Sequence, residues 1–84
     1  MQIGQIVFSK CGRDKGRAFV VLNVDAEYIY LVDGSLRSLD RPKKKKVKHV
    51  QPTNHFAKLF VEGGRALQDA DIRKQLATYL FPEG

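Results

Sequence analysis

The sequence predicts a mainly β domain: a small barrel of short strands followed by two short helices. Three observations lead there. Short runs of β-branched and aromatic residues recur over the first fifty positions. Glycine, proline and acidic residues punctuate those runs at close intervals. Past Pro52 the apolar spacing shifts from a period of two towards that of a helix. Eighty-four residues make one domain with a limited core. An apolar share of 43% is too high for a disordered chain.

Met1 to Gly4 is a lead-in, and Gln5 to Lys10 reads as the first strand. Ile6, Val7 and Phe8 have high β-propensity but do not alternate, so the core-facing side is not assigned. A loop with Gly12 and Gly16 follows, and Gly16 fits a tight turn that needs positive φ. Arg17 to Val24 is the longest strand. Ala18, Val20, Leu22 and Val24 line one face, with Phe19 and Val21 on the other. Apolar residues on both faces mark a central strand covered on both sides. Asp25-Ala26-Glu27 makes a polar turn into the strand Tyr28 to Val32, and Asp33-Gly34 turns again.

Leu36 to Arg41 reads either as a short edge strand or as an irregular connection. Lys43 to Val50 reads as one strand with a poorly buried face, ended by Pro52. Its lysines discourage edge-to-edge pairing. Thr53 or Asn54 is placed as the cap of a short helix carrying Phe56, Leu59 and Phe60, stopped by Gly63-Gly64. Asp69 is placed as the cap of a second helix, with Asp71 in its first turn complementing the helix dipole. Ile72, Leu76, Tyr79 and Leu80 form one apolar stripe, expected to pack back on the strands. Pro82 and Gly84 close the chain. Residues 1–53 are read as the barrel and 54–84 as a helical appendage packed on it, the whole forming one compact domain.

The net charge of +6 is unevenly spread. Met1 to His55 carries eleven Lys and Arg against five Asp and Glu, whereas Phe56 to Gly84 carries four of each. A one-sided basic balance is the footprint of a polyanion binder, and nucleic acid is the commonest such partner. No basic amphipathic helix offers itself to a membrane, and no stretch is apolar enough to span one. The lone Cys11 has no partner for an internal disulfide, which points to a reducing, cytoplasmic setting.

Two basic segments are candidate phosphate contacts. One is the first loop and its edges, with Lys10, Arg13, Lys15 and Arg17; Asp14 neutralises part of it. The other is Lys43, Lys44, Lys45, Lys46 and Lys48, with His49 among them. Lysines are point charges that attract phosphate without reading sequence, so this run predicts affinity rather than specificity. Tyr28 and Tyr30 either stack on unpaired bases or pack against a neighbouring strand or helix. Cys11 reads as a small residue leading into a turn. His49 and His55 lack companions at metal-ligand spacing, so no metal and no cofactor is expected. No nucleophile–base pair, phosphate loop or acidic cluster suggests an enzyme or a small-molecule substrate.

Gly4-Gln5-Ile6-Val7 through Gly16-Arg17-Ala18-Phe19-Val20-Val21-Leu22 resembles the KOW motif, a short RNA-associated module of ribosomal proteins and transcription elongation factors. Leu31-Val32-Asp33-Gly34 and Lys46-Val47-Lys48-His49-Val50-Gln51-Pro52-Thr53 add to the likeness. The three segments together resemble the large-subunit ribosomal protein L-fourteen-e family of archaea and eukaryotes, and its bacterial look-alikes. The resemblance spans Gly4 to Thr53, and the tail from Asn54 lies outside it. It implies an SH3-like barrel that binds RNA, chiefly ribosomal RNA, in translation or ribosome assembly. Ribosomal or transcription proteins are further expected partners. The competing reading is an SH3-like adaptor that binds peptides in a groove formed by Tyr28 and Tyr30.

Overall fold

The structure, a computed structural model, describes residues 1–82. Strands β1 (Gln5–Ser9), β2 (Ala18–Asp25), β3 (Tyr28–Val32), β4 (Lys43–Lys46) and β5 (Val50–Phe56) form one antiparallel sheet. Their order is β4-β3-β2-β1-β5. A 3-10 turn, Val47–His49, joins the two edge strands, and one helix, α1 (Asp69–Leu80), follows. Among the described residues no helix is long and apolar enough to cross a membrane.

The central position of β2 explains its two apolar faces. Phe19 and Val21 enter a core with Val7, Ile29, Leu31 and Val50. Ala18 and Val20 enter a second core with Ile6, Val32, Ala57, Ile72 and Leu76. The missing alternation in Ile6-Val7-Phe8 has the same cause: β1 buries both of its sides. Sheet curvature follows from the short connection at its edges. The outer strands of a flat five-stranded sheet lie ~19 Å apart. Three residues of 3-10 helix rise only ~6 Å. Val47–His49 therefore spans from β4 to β5 only because the sheet curls around the first core. The ends of the turn are tied on both sides. The Val47 N–H donates to the Glu27 carbonyl at 2.8 Å, and the Lys10 N–H donates to the His49 carbonyl at 2.8 Å. No ladder joins β4 to β5, which remain the two edges of the sheet.

Several sequence expectations change here. The helix expected from Thr53 or Asn54 does not form, because β5 runs on to Phe56 and, among the described residues, only α1 is an α-helix in the tail. Thr53 serves the sheet instead: its hydroxyl donates to the Ile6 carbonyl at 2.7 Å and accepts the His55 N–H at 3.1 Å. A helix of barely two turns before Gly63-Gly64 is marginal by itself, and pairing with β1 satisfies more backbone groups. Pro52 sits inside β5 rather than ending a strand. An edge strand tolerates it because the missing N–H costs no ladder bond on the open side. The single strand expected over Lys43 to Val50 is broken by the 3-10 turn, and Leu36 to Arg41 is an irregular connection.

Asp69 is the first residue of α1 rather than its cap, which is Gln68. The Gln68 N–H donates to the Asp71 carboxylate at 2.9 Å. Asp69 turns outward from its own helix and accepts the Leu39 N–H at 2.7 Å. Ile72 and Leu76 are buried against the sheet and Tyr79 is half-buried, whereas Leu80 is exposed. The Gln75 side chain accepts the Lys58 N–H at 2.7 Å and donates to the Lys58 carbonyl, holding the irregular tail against α1. Gly84 lies outside the described residues.

Two of the glycines with positive φ stand at turns beside the basic segments. Gly16 has φ +86°, as the turn suggested, and its open side would admit a Cβ. Gly34 has φ +77°, and a Cβ there would overlap the Asp69 carbonyl oxygen. Arg73 also donates to the Gly34 carbonyl, so this turn is pressed onto the first turn of α1. Gly16→Ala is expected to cost about 1–2 kcal/mol, the left-handed penalty for a residue with a Cβ. Gly34→Ala is expected to cost more, since α1 must also shift. Urea denaturation of the two variants checks that order.

Candidate nucleic-acid interface

The β1–β2 loop is built inward from Asp14. Its backbone closes on itself: Gly16 N–H donates to Ser9 O at 2.8 Å, Arg17 N–H to Asp14 O at 2.9 Å, and Ser9 N–H to Arg17 O at 3.0 Å. Asp14 is 8% exposed. Its Oδ1 accepts the Ser9 hydroxyl at 2.7 Å and the Lys45 ammonium at 3.0 Å. Lys43 Nζ stands 2.8 Å from Oδ2, as an ion pair rather than a well-directed hydrogen bond. Lys45 also donates to the Cys11 carbonyl at 2.9 Å, so this loop and β4, 34 positions away, are held in contact.

Strand alternation sorts the lysine run. Lys43 and Lys45 pair with Leu31 and Ile29, whose side chains lie in the first core. Lys45 is consequently 8% exposed, a lysine whose charge is met by Asp14. Lys44 and Lys46 pair with Tyr30 and Tyr28 on the other face. Lys44 Nζ lies 4.4 Å over the Tyr28 ring, a cation–π contact. Both tyrosines are half-buried, and α1 packs on other residues.

The remaining predicted residues are placed as follows. Lys10, Arg13 and Lys15 are exposed on the loop, as is Lys48 on the 3-10 turn. Lys10 and the half-buried His49 are neighbours through their backbone hydrogen bond. Arg17 is also exposed, but its guanidinium donates to Asp33 at 3.2 Å. Of the ten, Asp14 claims Lys43 and Lys45, and Asp33 claims Arg17. The other seven form no ion pair among the described residues.

Sequence reasoning passed over Arg37. It stands in the connection after β3, which Asp33 organises. Asp33 Oδ1 accepts the N–H groups of Ser35 and Arg37, each at 2.9 Å, while the Asp33 N–H donates back to the Arg37 carbonyl at 2.9 Å. The Asp33-Gly34 turn signal was readable, but not the side on which Arg37 would emerge. The Cys11 thiol is free and half-buried. No group of three His, Cys, Asp or Glu gathers among the described residues. A groove of about 840 Å³ lies between β5, the irregular tail and α1. Phe56, Phe60 and Tyr79 line it, and it shares no residue with the basic segments.

Burial alone pushes the Asp14 carboxyl up, but Lys43, the Ser9 hydroxyl and Lys45 together hold it well below the ordinary carboxylate range. Asp71 is held at about 2 by Arg65 and by the Gln68 N–H. No protein-family model matches this chain, and no curated protein matches its sequence.

A lowered folded-state pKa means that Asp14 contributes stability above the unfolded value of about 3.9. That contribution is lost as pH falls through 3.9 towards the lower folded value. Asp14→Asn is expected to cost about 3 kcal/mol at neutral pH, the low end for breaking a buried pair, because Lys43 is one-quarter exposed. The stability gap between variant and parent should narrow as pH falls below about 4. Thermal melts at a series of pH values measure it.

Proposed function

We propose that this protein is a non-catalytic RNA-binding domain, acting on ribosomal or other structured RNA in translation or ribosome assembly. The observation that carries the reading is the Asp14 junction. It draws the loop with Lys10, Arg13 and Lys15 against the lysine strand, while the Lys10–His49 backbone bond holds the same loop to the 3-10 turn. Two basic segments far apart in the chain thus become one neighbourhood, in the part of the sequence that holds the whole charge excess. Phosphates neutralised there release counterions, which supplies affinity without sequence preference.

An SH3-like barrel is the finer reading of the fold. Its support is the strand order β4-β3-β2-β1-β5, the single 3-10 turn between the edge strands, and the curl those features impose. The peptide-groove alternative draws less support. With Lys44 over the Tyr28 ring and Lys46 beside it, that face offers ammonium groups to a ligand and suits a polyanion better than an apolar peptide.

The structural roles of Lys43 and Lys45 determine which substitutions test the proposal. Reversing them would place carboxylates against Asp14 and break the fold. The informative variant is Lys15→Ala, Lys44→Ala and Lys48→Ala combined, since all three are exposed and none forms an ion pair among the described residues. It should stay folded, losing about 0.5–1 kcal/mol with the Lys44–Tyr28 contact, and bind structured RNA more weakly. Its slope of log K against log salt should be shallower by roughly 2–3, at about 0.7–0.9 per lost phosphate contact. Unchanged affinity and slope in a binding titration would sink the proposal.

A further inference from the structure

A groove of about 410 Å³ runs between the β1–β2 loop and the connection that follows β3. Arg13 and Arg17 stand on one side, Leu36 and Arg37 on the other, with Phe19 and Lys43 completing it. We propose that this groove seats one unpaired nucleotide of a bound RNA. Its phosphate lies between the guanidiniums of Arg13 and Arg37, and its sugar and base lie against Leu36. The proposal rests on the RNA-binding reading above and gives that reading a specific subsite.

Charge is the first argument. The two acids in the groove are already answered, Asp33 by Arg17 at 3.2 Å and Asp14 by Lys43 at 2.8 Å. Arg13 and Arg37 have no carboxylate partner among the described residues. Two arginines that line one concavity without a carboxylate partner are suited to phosphate, whose oxygens accept paired guanidinium N–H groups.

Preorganisation is the second. Arg37 is fixed at its N–H by Asp33 Oδ1 and at its carbonyl by the N–H groups of Asp33 and Gly34. Arg13 lies between Gly12 and the anchored Asp14, with Lys15 N–H closing the turn onto Gly12 O at 3.2 Å. Both guanidiniums therefore hang from ordered backbone, which lowers the entropy lost on binding.

Size and surface are the third. A groove of this volume sits at the low end of sites for small ligands, about 300–1,000 Å³. It admits one nucleotide and not a double helix. Leu36 is 72% exposed at its rim, an apolar surface outside both cores. A splayed base or its sugar would cover it. Unpaired bases are also the part of an RNA that proteins reach most readily.

The test compares a hairpin RNA carrying a single-stranded loop with a blunt duplex of equal length, by fluorescence anisotropy at one salt concentration. The parent should prefer the hairpin. Arg13→Ala and Arg37→Ala should each weaken hairpin binding roughly tenfold, the loss of one charge-assisted contact. Duplex binding should change much less. Leu36→Ala should weaken hairpin binding alone. Arg37→Gln, which keeps the side-chain length, should match Arg37→Ala, and melting curves should confirm that all variants fold. Hairpin affinity unchanged in Arg13→Ala and Arg37→Ala, with affinity still lost in the Lys15, Lys44 and Lys48 variant, would overturn the seat and leave RNA binding standing. A parent that binds neither RNA would overturn both.

Discussion

One carboxylate holds the architecture together. Asp14 reaches inward from the β1–β2 loop and meets two lysines from an edge strand. A charge so buried is tolerable only when paired and hydrogen-bonded, and Ser9 and Lys45 supply the hydrogen bonds. The pairing fixes more than the loop. It holds β4 against the β1–β2 loop, and it gives the inner face of a lysine strand a reason to be inside. Remove the carboxylate, and the buried Lys45 and the quarter-exposed Lys43 both lose their counter-charge.

A second clamp works from the tail. Asp69, at the start of α1, accepts the Leu39 N–H, and Arg73 donates to the Gly34 carbonyl. Gly34 has room for this contact because it lacks a Cβ. The helix thus buries Ile72 and Leu76 in the second core and also steadies the connection that carries Leu36 and Arg37. The tail, neutral in charge, serves the basic part of the molecule by holding one of its loops. The two clamps act on opposite walls of the same groove.

Much of the fold was legible in the sequence. β1, β2 and β3 follow from β-branched runs between turn residues, and β2 was readable as the central strand because both of its faces are apolar. Gly16 was readable as a positive-φ turn. The stretch after Pro52 was not. Phe56, Leu59 and Phe60 carry helical spacing, yet the open edge of β1 competes for the same backbone and wins as far as Phe56. Local pattern registers the side-chain period and is blind to a partner strand more than forty residues away. The basic site was legible as composition and illegible as geometry. Lys43, Lys44, Lys45 and Lys46 are chemically identical neighbours, and only their register against β3 separates two structural cations from two outward ones.

The sequence by itself determined the mainly β class, the position of the central strand, the turn glycines and the concentration of positive charge in the first two-thirds of the chain. Each depends on residues near one another along the backbone, where propensity and period act directly. The tertiary structure alone decided which lysines are spent on Asp14, that β5 extends where a helix was expected, and that Arg37 faces the loop bearing Arg13. Those outcomes depend on contacts between residues distant in the chain. Burial and pairing energies there exceed the small local preferences that a linear pattern records.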